Sequence, residues 1–252
     1  MTTPQRLTLI AKSLFLLLIP TLCASAPAGV DASLQAGVDA INRKDYATAV
    51  SEFHALAVQG DRVAQYNLAL MYDNGEGLVQ DKTQAVLWYR KAAEKGYPMA
   101  QDNLGGKYFH GEGVPQDKTQ AEAWFRKAAV QGNSLAQHHL ALMYMDGDGV
   151  PQDKAQAVAW FRKAADQEDA VAQYNLGMMY LNGEGVPKDI ALAEAWFRKA
   201  ADHGDDNAQY NIGVMYYNGV GVAQDKKQAL LWIQRAAAQG NANALSALSR
   251  FR

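Results

Sequence analysis

Apolar residues recur along this chain with the spacing of an amphipathic helix. Ala100, Leu104 and Tyr108 fall at i, i+4 and i+8, which places them on one helical face. Gly105 lies beside this face and, having no side chain, would allow a neighbouring backbone to approach closely. The segment is therefore predicted to be a short helix with one buried face.

The residues after this helix predict a loop and then a second helix. Gly111 and Gly113 suit the positive φ angles of a tight loop, and Asp117 is suited to cap the next helix. The second helix carries Trp124 among small Ala residues at helical spacing, and Gly132 follows it as a stop signal. Each such unit is a helix pair joined by a glycine-rich loop.

The helix pair recurs every 36 residues. Segments similar to AQYNLGMMY begin at Ala64, Ala100, Ala136, Ala172 and Ala208. All five tryptophans keep the same interval, so each is interpreted as a packing residue of its unit. They are Trp88, Trp124, Trp160, Trp196 and Trp232. Because two helices alone cannot bury both of their apolar faces, successive units must stack, and the predicted fold is an all-α superhelical solenoid of antiparallel helix pairs.

Residues 172–205 closely resemble the Sel1-like repeat, a relative of the tetratricopeptide repeat with a longer loop between its helices. Five units fill the motif positions Ala, Leu, Gly or Ala, Tyr, Gly-x-Gly, Trp and Ala-Ala, and the residues before them resemble a plain tetratricopeptide pair. The implied organisation is a signal peptide at 1–28, a tetratricopeptide-like pair at 29–63, Sel1-like repeats at 64–99, 100–135, 136–171, 172–207 and 208–243, and a capping helix at 244–252.

The first residues have the order of a secretory signal peptide. Arg6 and Lys12 precede an apolar run at residues 14–19, and small residues follow up to Ala28. The run is too short to cross a bilayer. The chain is therefore expected in the periplasm or outside the cell, without stable membrane insertion once the signal is removed. Cys23 follows the bulky Leu22, which disfavours a lipid anchor.

Charge and composition argue against two classes of function. Lys and Arg number 24 against 26 Asp and Glu, a net charge of -2, so no basic field exists to hold nucleic acid. Recurrent Arg-Lys doublets, such as Arg126 with Lys127, are interpreted as solvated faces. Cys23 is the one cysteine, so a mature chain without it has neither a disulfide nor a catalytic thiolate.

The resemblance implies that a partner binds along a concave surface lined by the first helix of each pair. The transferred groove positions are Tyr66, Asn67, Leu70, Asp102, Asn103, Phe109, His138, His139, Met145, Tyr174, Asn175, Met178, Tyr210, Asn211 and Tyr217. Asn amides suit the backbone of an extended peptide, and aromatic and Met side chains give adaptable apolar contact. In the alternative interpretation, the Asn side chains satisfy helix ends and the Tyr rings pack between repeats.

The expected function is an exported adaptor that binds a protein or an extended peptide, in envelope signalling, cell-wall assembly or host interaction. Catalytic patterns are weak, because the five histidines lack metal-binding spacing and neither Ser-x-x-Lys nor Gly-x-Ser-x-Gly occurs. No catalytic residue, metal or cofactor is expected. The alternatives are a cell-wall or β-lactam hydrolase, an activity associated with some relatives, and a structural spacer without a stable partner.

Replacing Trp160 with Ala should lower the free energy of unfolding by about 3–5 kcal/mol, because a large packing side chain leaves a cavity. Chemical unfolding of the purified variant measures the loss. A melting temperature equal to that of the wild type would contradict the packing role of the repeat tryptophans.

Overall fold

All regular structure in the described part of the chain is α-helical. The computed structural model describes residues 28–248, and within this range it contains thirteen helices. They are α1 (Ala28–Asn42), α2 (Tyr46–Gln59), α3 (Arg62–Asn74), α4 (Lys82–Glu94), α5 (Pro98–His110), α6 (Lys118–Val130), α7 (Ser134–Asp146), α8 (Lys154–Ala165), α9 (Ala170–Asn182), α10 (Ile190–Asp202), α11 (Asp206–Asn218), α12 (Lys226–Ala238) and α13 (Ala242–Leu248). The all-α prediction is confirmed.

Two predictions concern segments outside this range. Residues 1–27 of the signal peptide predicted at 1–28, and residues 249–252 of the predicted capping segment, lie outside the described range. Neither stretch belongs to the described residues, so the signal peptide stays a prediction from sequence.

Aspartate side chains begin the second helix of each repeat, as predicted. The Asp117 carboxylate accepts hydrogen bonds from the backbone N–H groups of Thr119 and Gln120, at 3.0 and 2.9 Å. The preceding helix α5 ends at Gly111, which has a left-handed φ of 72° and donates its N–H to the carbonyl of Lys107. The helices on both sides of the glycine-rich loop thus have defined ends.

Residues 28–131 form a first compact unit that contains α1 to α6. Consecutive helices pack against each other throughout this unit. Large side chains lie among fully buried Ala residues in its core, and Phe53, Leu68, Tyr89 and Leu104 are each at most 1% exposed. Trp88 belongs to the same cluster, in agreement with its predicted packing role.

Residues 132–248 form a second compact unit that contains α7 to α13. Consecutive helices pack here in the same order, and Trp160 and Trp232 are buried. Ala244 of α13 has no exposed surface and packs in one cluster with Ile233 of α12. The terminal helix therefore covers an apolar face of the last pair, and the stacked pairs in both units confirm the solenoid prediction.

The helical glycines differ from their prediction in what approaches them. A Cβ atom added at Gly105 would lie 2.7 Å from the ring of Phe125, and one at Gly177 would lie 2.7 Å from the ring of Phe197. Here an aromatic side chain of the second helix comes nearest to the glycine, and at Gly177 the backbone oxygen of Ala193 also lies 3.2 Å from the Cβ position. Large side chains of the second helices thus pack against glycines of the first helices.

The second glycine of the loop makes a close backbone contact between neighbouring pairs. Gly113 has a φ of 72°, and a Cβ atom there would lie 2.2 Å from the carbonyl oxygen of Lys82 at the start of α4. Gly185 has the same relation to the carbonyl oxygen of Lys154, at 2.3 Å. Both the backbone conformation and the lack of space require glycine at this position.

Gly113→Ala should destabilise the protein more than Gly96→Ala. Both glycines have a left-handed φ, which costs a non-glycine residue about 1–2 kcal/mol, but a Cβ at Gly96 meets nothing within 4 Å. The difference between the two variants in chemical unfolding therefore measures the backbone contact alone. Equal losses would mean that the contact with Lys82 relaxes without cost.

Candidate functional site

The predicted groove residues all lie on first helices, but they differ in exposure. Five are buried, namely Tyr66, Asn67, Asp102, Phe109 and His138. Nine are half-buried, namely Leu70, Asn103, His139, Met145, Tyr174, Asn175, Met178, Tyr210 and Asn211. Tyr217 is 43% exposed. The accessible positions are therefore concentrated in the second unit, above all on α9 and α11.

Aromatic packing encloses the predicted positions of the first unit. The ring centroid of Tyr66 lies 6.0 Å from that of Tyr89 and 5.1 Å from that of Tyr97. Burial raises the pKa of Tyr66, and a hydrogen bond from Asn103 opposes this rise. Asn67 donates to a carbonyl of its own helix, 2.9 Å away. These contacts match the alternative in which the Tyr and Asn side chains serve the packing of the repeats.

A charged cluster lies between the loops of the first unit. Lys107 is 8% exposed and its Nζ lies 2.6 Å from Asp73 and 2.9 Å from Glu112. Lys82 lies 3.0 Å from the same Glu112 carboxylate. Hydrogen bonds from Lys107 and then Lys82, with their charges, lower the pKa of Glu112 to about 2. Lys107 occupies a position where the other four units have Met, and its charge is paired on both sides.

A buried histidine contacts a helix cap in the second unit. His138 is 1% exposed, and its Nδ1 lies 3.6 Å from the carboxylate of Asp169. Asp169 also accepts a hydrogen bond from the backbone N–H of Ala172, at 2.8 Å, and so caps α9. Burial acts to raise the pKa of Asp169, but the nearby His138 and the hydrogen bond from the Ala172 N–H lower it overall. His138 thus stabilises a helix start and is not part of the accessible surface.

The accessible predicted residues of α9 and α11 form a row of polar and apolar side chains, namely Tyr174, Asn175, Met178, Tyr210, Asn211 and Tyr217. The ring of Tyr174 lies 5.8 Å from that of Phe197, and the Asn211 amide donates to the sulfur of Met178 at 3.5 Å. Asn175 lies between Tyr174 and Met178 in the sequence of α9 and is also half-buried. The row therefore offers carboxamides next to polarizable apolar surface, which is the combination that an extended peptide can use.

Buried glutamines are a structural feature that sequence reasoning missed. The Nε2 groups of Gln101, Gln173 and Gln209 donate to carbonyls at the end of the preceding second helix, at 3.0, 3.0 and 3.3 Å. These side chains are at most 7% exposed. The available signal was the Gln that follows the motif Ala in all five units. Each amide joins one helix pair to the next.

The Arg-Lys doublets also join helices, which corrects their interpretation as solvated faces alone. Arg90 donates to the Tyr108 hydroxyl of the next repeat at 2.6 Å, and Arg198 makes the equivalent bond to Tyr216 at 3.2 Å. The following lysine lies over the tryptophan of its own helix. These lysine-to-ring distances are 3.8 Å for Lys91 and Trp88, 3.9 Å for Lys127 and Trp124, 3.9 Å for Lys163 and Trp160, and 4.1 Å for Lys199 and Trp196. The doublets thus connect neighbouring repeats and cover the tryptophans.

A family model described as the Sel1 repeat matches five consecutive segments of the sequence, at residues 62–97, 98–133, 134–169, 170–205 and 206–241. The chain belongs to the Sel1 repeat family. Each matched Sel1 repeat begins at the first residue of α3, α5, α7, α9 or α11, so one repeat is one helix pair.

Solved Sel1 repeat structures share the fold. A Sel1 repeat protein from Oxalobacter formigenes is 35% identical with a TM-score of 0.79, over 84% of this chain and 86% of its own. A protective antigen of uropathogenic Escherichia coli is 35% identical with a TM-score of 0.80, over 85% of this chain. This chain spans about half of that antigen, 47% of its length. No protein with a curated description matches the sequence.

Sel1 repeats and the related tetratricopeptide repeats are generally scaffolds for protein–protein interaction without enzymatic activity. Among residues 28–248, no helix has both the length and the apolarity to cross a membrane. Within the same range, no three His, Cys, Asp or Glu side chains gather as ligands for a metal ion.

Two successive helix caps of the second unit have opposite electrostatic environments. Asp205 caps α11 by accepting from the N–H of Ala208 at 2.7 Å. Burial, with smaller contributions from the negative charges of Asp206 and Asp169, raises the pKa of Asp205 to about 6 from 3.8. The pKa of Asp169 is lowered instead, since His138 faces it. Ionised Asp205 therefore destabilises the folded state, whereas ionised Asp169 stabilises it.

Asp205→Asn should stabilise the protein at pH 7 by about 1–3 kcal/mol, because the raised pKa makes the ionised carboxylate unfavourable in the folded state. As pH rises from about 4 to 6 and Asp205 ionises, the free energy of unfolding of the wild type should fall by this amount. The variant has no carboxylate at this position and should not show the fall. Asn is compatible with the position, since Asn133 caps α7 in the same way at 2.8 Å.

Asp169→Asn is the matched control with the opposite sign. Its lowered pKa contributes stability above the ordinary pKa of Asp, so the variant should be less stable at pH 7. Urea unfolding at several pH values measures both variants. Two variants that shift stability in the same direction would contradict the assignment of the two environments.

Proposed function

We propose that this Sel1 repeat protein is an exported adaptor that binds an extended segment of a protein partner along the first helices of its second unit. The observation that carries the proposal is the accessible row on α9 and α11. Its members are Tyr174, Asn175, Met178, Tyr210, Asn211 and Tyr217.

The chemistry of this row suits a peptide backbone flanked by apolar side chains. The carboxamides of Asn175 and Asn211 can each donate and accept hydrogen bonds along an extended chain. Met178 and Tyr217 offer apolar surface that adapts to side chains of different shape. Since none of these residues is charged, the bound segment is expected to be uncharged and partly apolar where it crosses α9 and α11.

Export is supported by the sequence of the first 28 residues, which has the order of a signal peptide. The similar protein from uropathogenic Escherichia coli is a protective antigen, which fits a protein that reaches the envelope or the exterior. An exported adaptor fits envelope signalling, cell-wall assembly or host interaction, and the identity of the captured partner distinguishes these settings.

The binding test compares two pairs of truncations. Met178→Ala with Tyr217→Ala removes accessible apolar side chains from first helices, and Leu192→Ala with Leu231→Ala removes exposed ones from the second helices α10 and α12. Partners are captured on the immobilised chain from cell-envelope and host-cell extracts, and their affinities are then measured. We expect the first-helix pair to weaken binding at least tenfold, since interface anchors contribute about 1–2 kcal/mol each. The control pair should bind as the wild type does.

Loss of binding in the control pair alone would place the partner on the second helices and contradict the proposed surface. A wild type that retains no partner from either extract would favour the structural spacer. Export is tested separately by cell fractionation and amino-terminal sequencing. A mature chain that begins near Gly29 supports export, whereas an intact amino terminus in the cytoplasm contradicts it.

A further inference from the structure

The buried glutamines of most repeats bind through the carboxamide oxygen as well as through the nitrogen. While Nε2 of Gln101, Gln173 and Gln209 donates to a helix carbonyl, Oε1 accepts from the side chain thirty positions later in the sequence. The donor and acceptor pairs are Gln131 with Gln101 at 2.7 Å, Gln167 with Gln137 at 2.8 Å, His203 with Gln173 at 3.0 Å and Gln239 with Gln209 at 2.9 Å. Four of the five repeats therefore satisfy this buried oxygen in the same way.

The first Sel1 repeat is the exception. Gln65 is 3% exposed and its Nε2 donates to the carbonyl of Ala57 at 3.0 Å, but its Oε1 has no protein donor. The residue thirty positions later is Lys95, and its Nζ donates to the carbonyl of Gly60 instead. A buried acceptor without a donor carries a desolvation penalty, which an N–H group from a ligand would remove.

A pocket of about 440 Å³ lies at this exception. Its lining includes Val58, Gln65, Trp88, Lys91, Glu94 and Lys95. In the other repeats the side chain equivalent to Lys95 donates a hydrogen bond to the glutamine oxygen. Lys95 and Gln65 both line the pocket, so the unpartnered oxygen belongs to a buried side chain in its wall. The size is within the range of pockets that hold small organic ligands.

The lining combines apolar surface with an excess of positive charge. Trp88 and Val58 supply the apolar part, and the Nζ of Lys91 lies 3.8 Å from the centroid of the Trp88 ring. Lys91 and Lys95 provide two ammonium groups against the one carboxylate of Glu94. A ligand that complements this lining has a carboxylate, a small apolar group and an N–H donor.

We propose that this pocket binds an amide N–H next to a terminal carboxylate, the chemistry of an N-acylated amino acid or of the carboxyl-terminal residue of a peptide. The N–H donates to Gln65 Oε1, the carboxylate lies by Lys91 and Lys95, and the side chain contacts Trp88. The site belongs to α2, α3 and α4 of the first unit, so it is separate from the peptide-binding row on α9 and α11.

Three small probes test the ligand chemistry on the purified chain. N-acetylalanine has both recognition groups, N-acetyl-N-methylalanine lacks the N–H, and N-acetylalanine amide lacks the carboxylate. In calorimetric or NMR titration, we expect N-acetylalanine to bind at least tenfold more tightly than either analogue and to shift the indole N–H resonance of Trp88. Tighter binding of acetyl-trialanine indicates a peptide end as the natural ligand, and equal binding indicates a free acyl amino acid.

Two substitutions of Lys95 test the site itself. Lys95→Gln supplies the amide that the other repeats use, so it should donate to Gln65 and abolish saturable binding of N-acetylalanine. Lys95→Met removes the same charge without supplying a donor. It should bind the probe more weakly than the wild type but still prefer N-acetylalanine over its N-methyl analogue.

Several results would overturn the proposal. They are absence of saturable binding to the wild type, equal binding of the N-methyl analogue, and unchanged binding by Lys95→Gln. Lys95→Gln should also melt at a higher temperature than Lys95→Met, because it satisfies the buried oxygen. A lower melting temperature would mean that the new amide does not reach Gln65, which contradicts the assignment of the unpartnered oxygen.

Discussion

Each helix pair of this protein has two apolar faces, and its own two helices can bury only one of them. The remaining face must be covered by the next pair, and this requirement explains the regularity of the sequence. Within the pairs, Phe125 packs on Gly105, Phe197 packs on Gly177, and Ile233 lies 2.6 Å from the Cβ position of Gly213, whereas Gly113 meets the Lys82 carbonyl of the preceding pair. Because the pairs place large and small residues at equivalent positions, the same packing arrangement recurs in both units.

Local signals explain how much of this fold could be predicted from sequence. Helix periodicity, the caps at residues such as Asp117 and the left-handed glycines such as Gly111 act within a few residues, so the sequence alone reveals them. The contact between Gly113 and the Lys82 carbonyl connects residues about thirty positions apart. Such contacts depend on how successive pairs stack, which the pattern of a single repeat does not contain.

The exposure of the candidate surface residues also could not be predicted from the pattern of a single repeat. Transferring positions from a related repeat identifies the helix of each residue, and all fifteen lie on first helices. The residue just before the next first helix contributes to the burial of two of these positions. Tyr66 is enclosed by Tyr97 and His138 by Asp169, whereas Tyr174 and Tyr210 stay half-buried. Exposure therefore varies between positions that look equivalent in sequence.

The bonds from arginine to tyrosine have a consequence for how such a protein can change in length. At several junctions an arginine of one Sel1 repeat donates to a tyrosine of the next repeat, as Arg90 with Tyr108 and Arg198 with Tyr216 illustrate. An in-frame duplication of one whole repeat supplies both halves of a new junction, whereas an insertion of another length supplies neither. The array can thus lengthen in evolution by whole repeats, and residues that break the pattern, such as Lys95 and Lys107, mark the repeats that are no longer interchangeable.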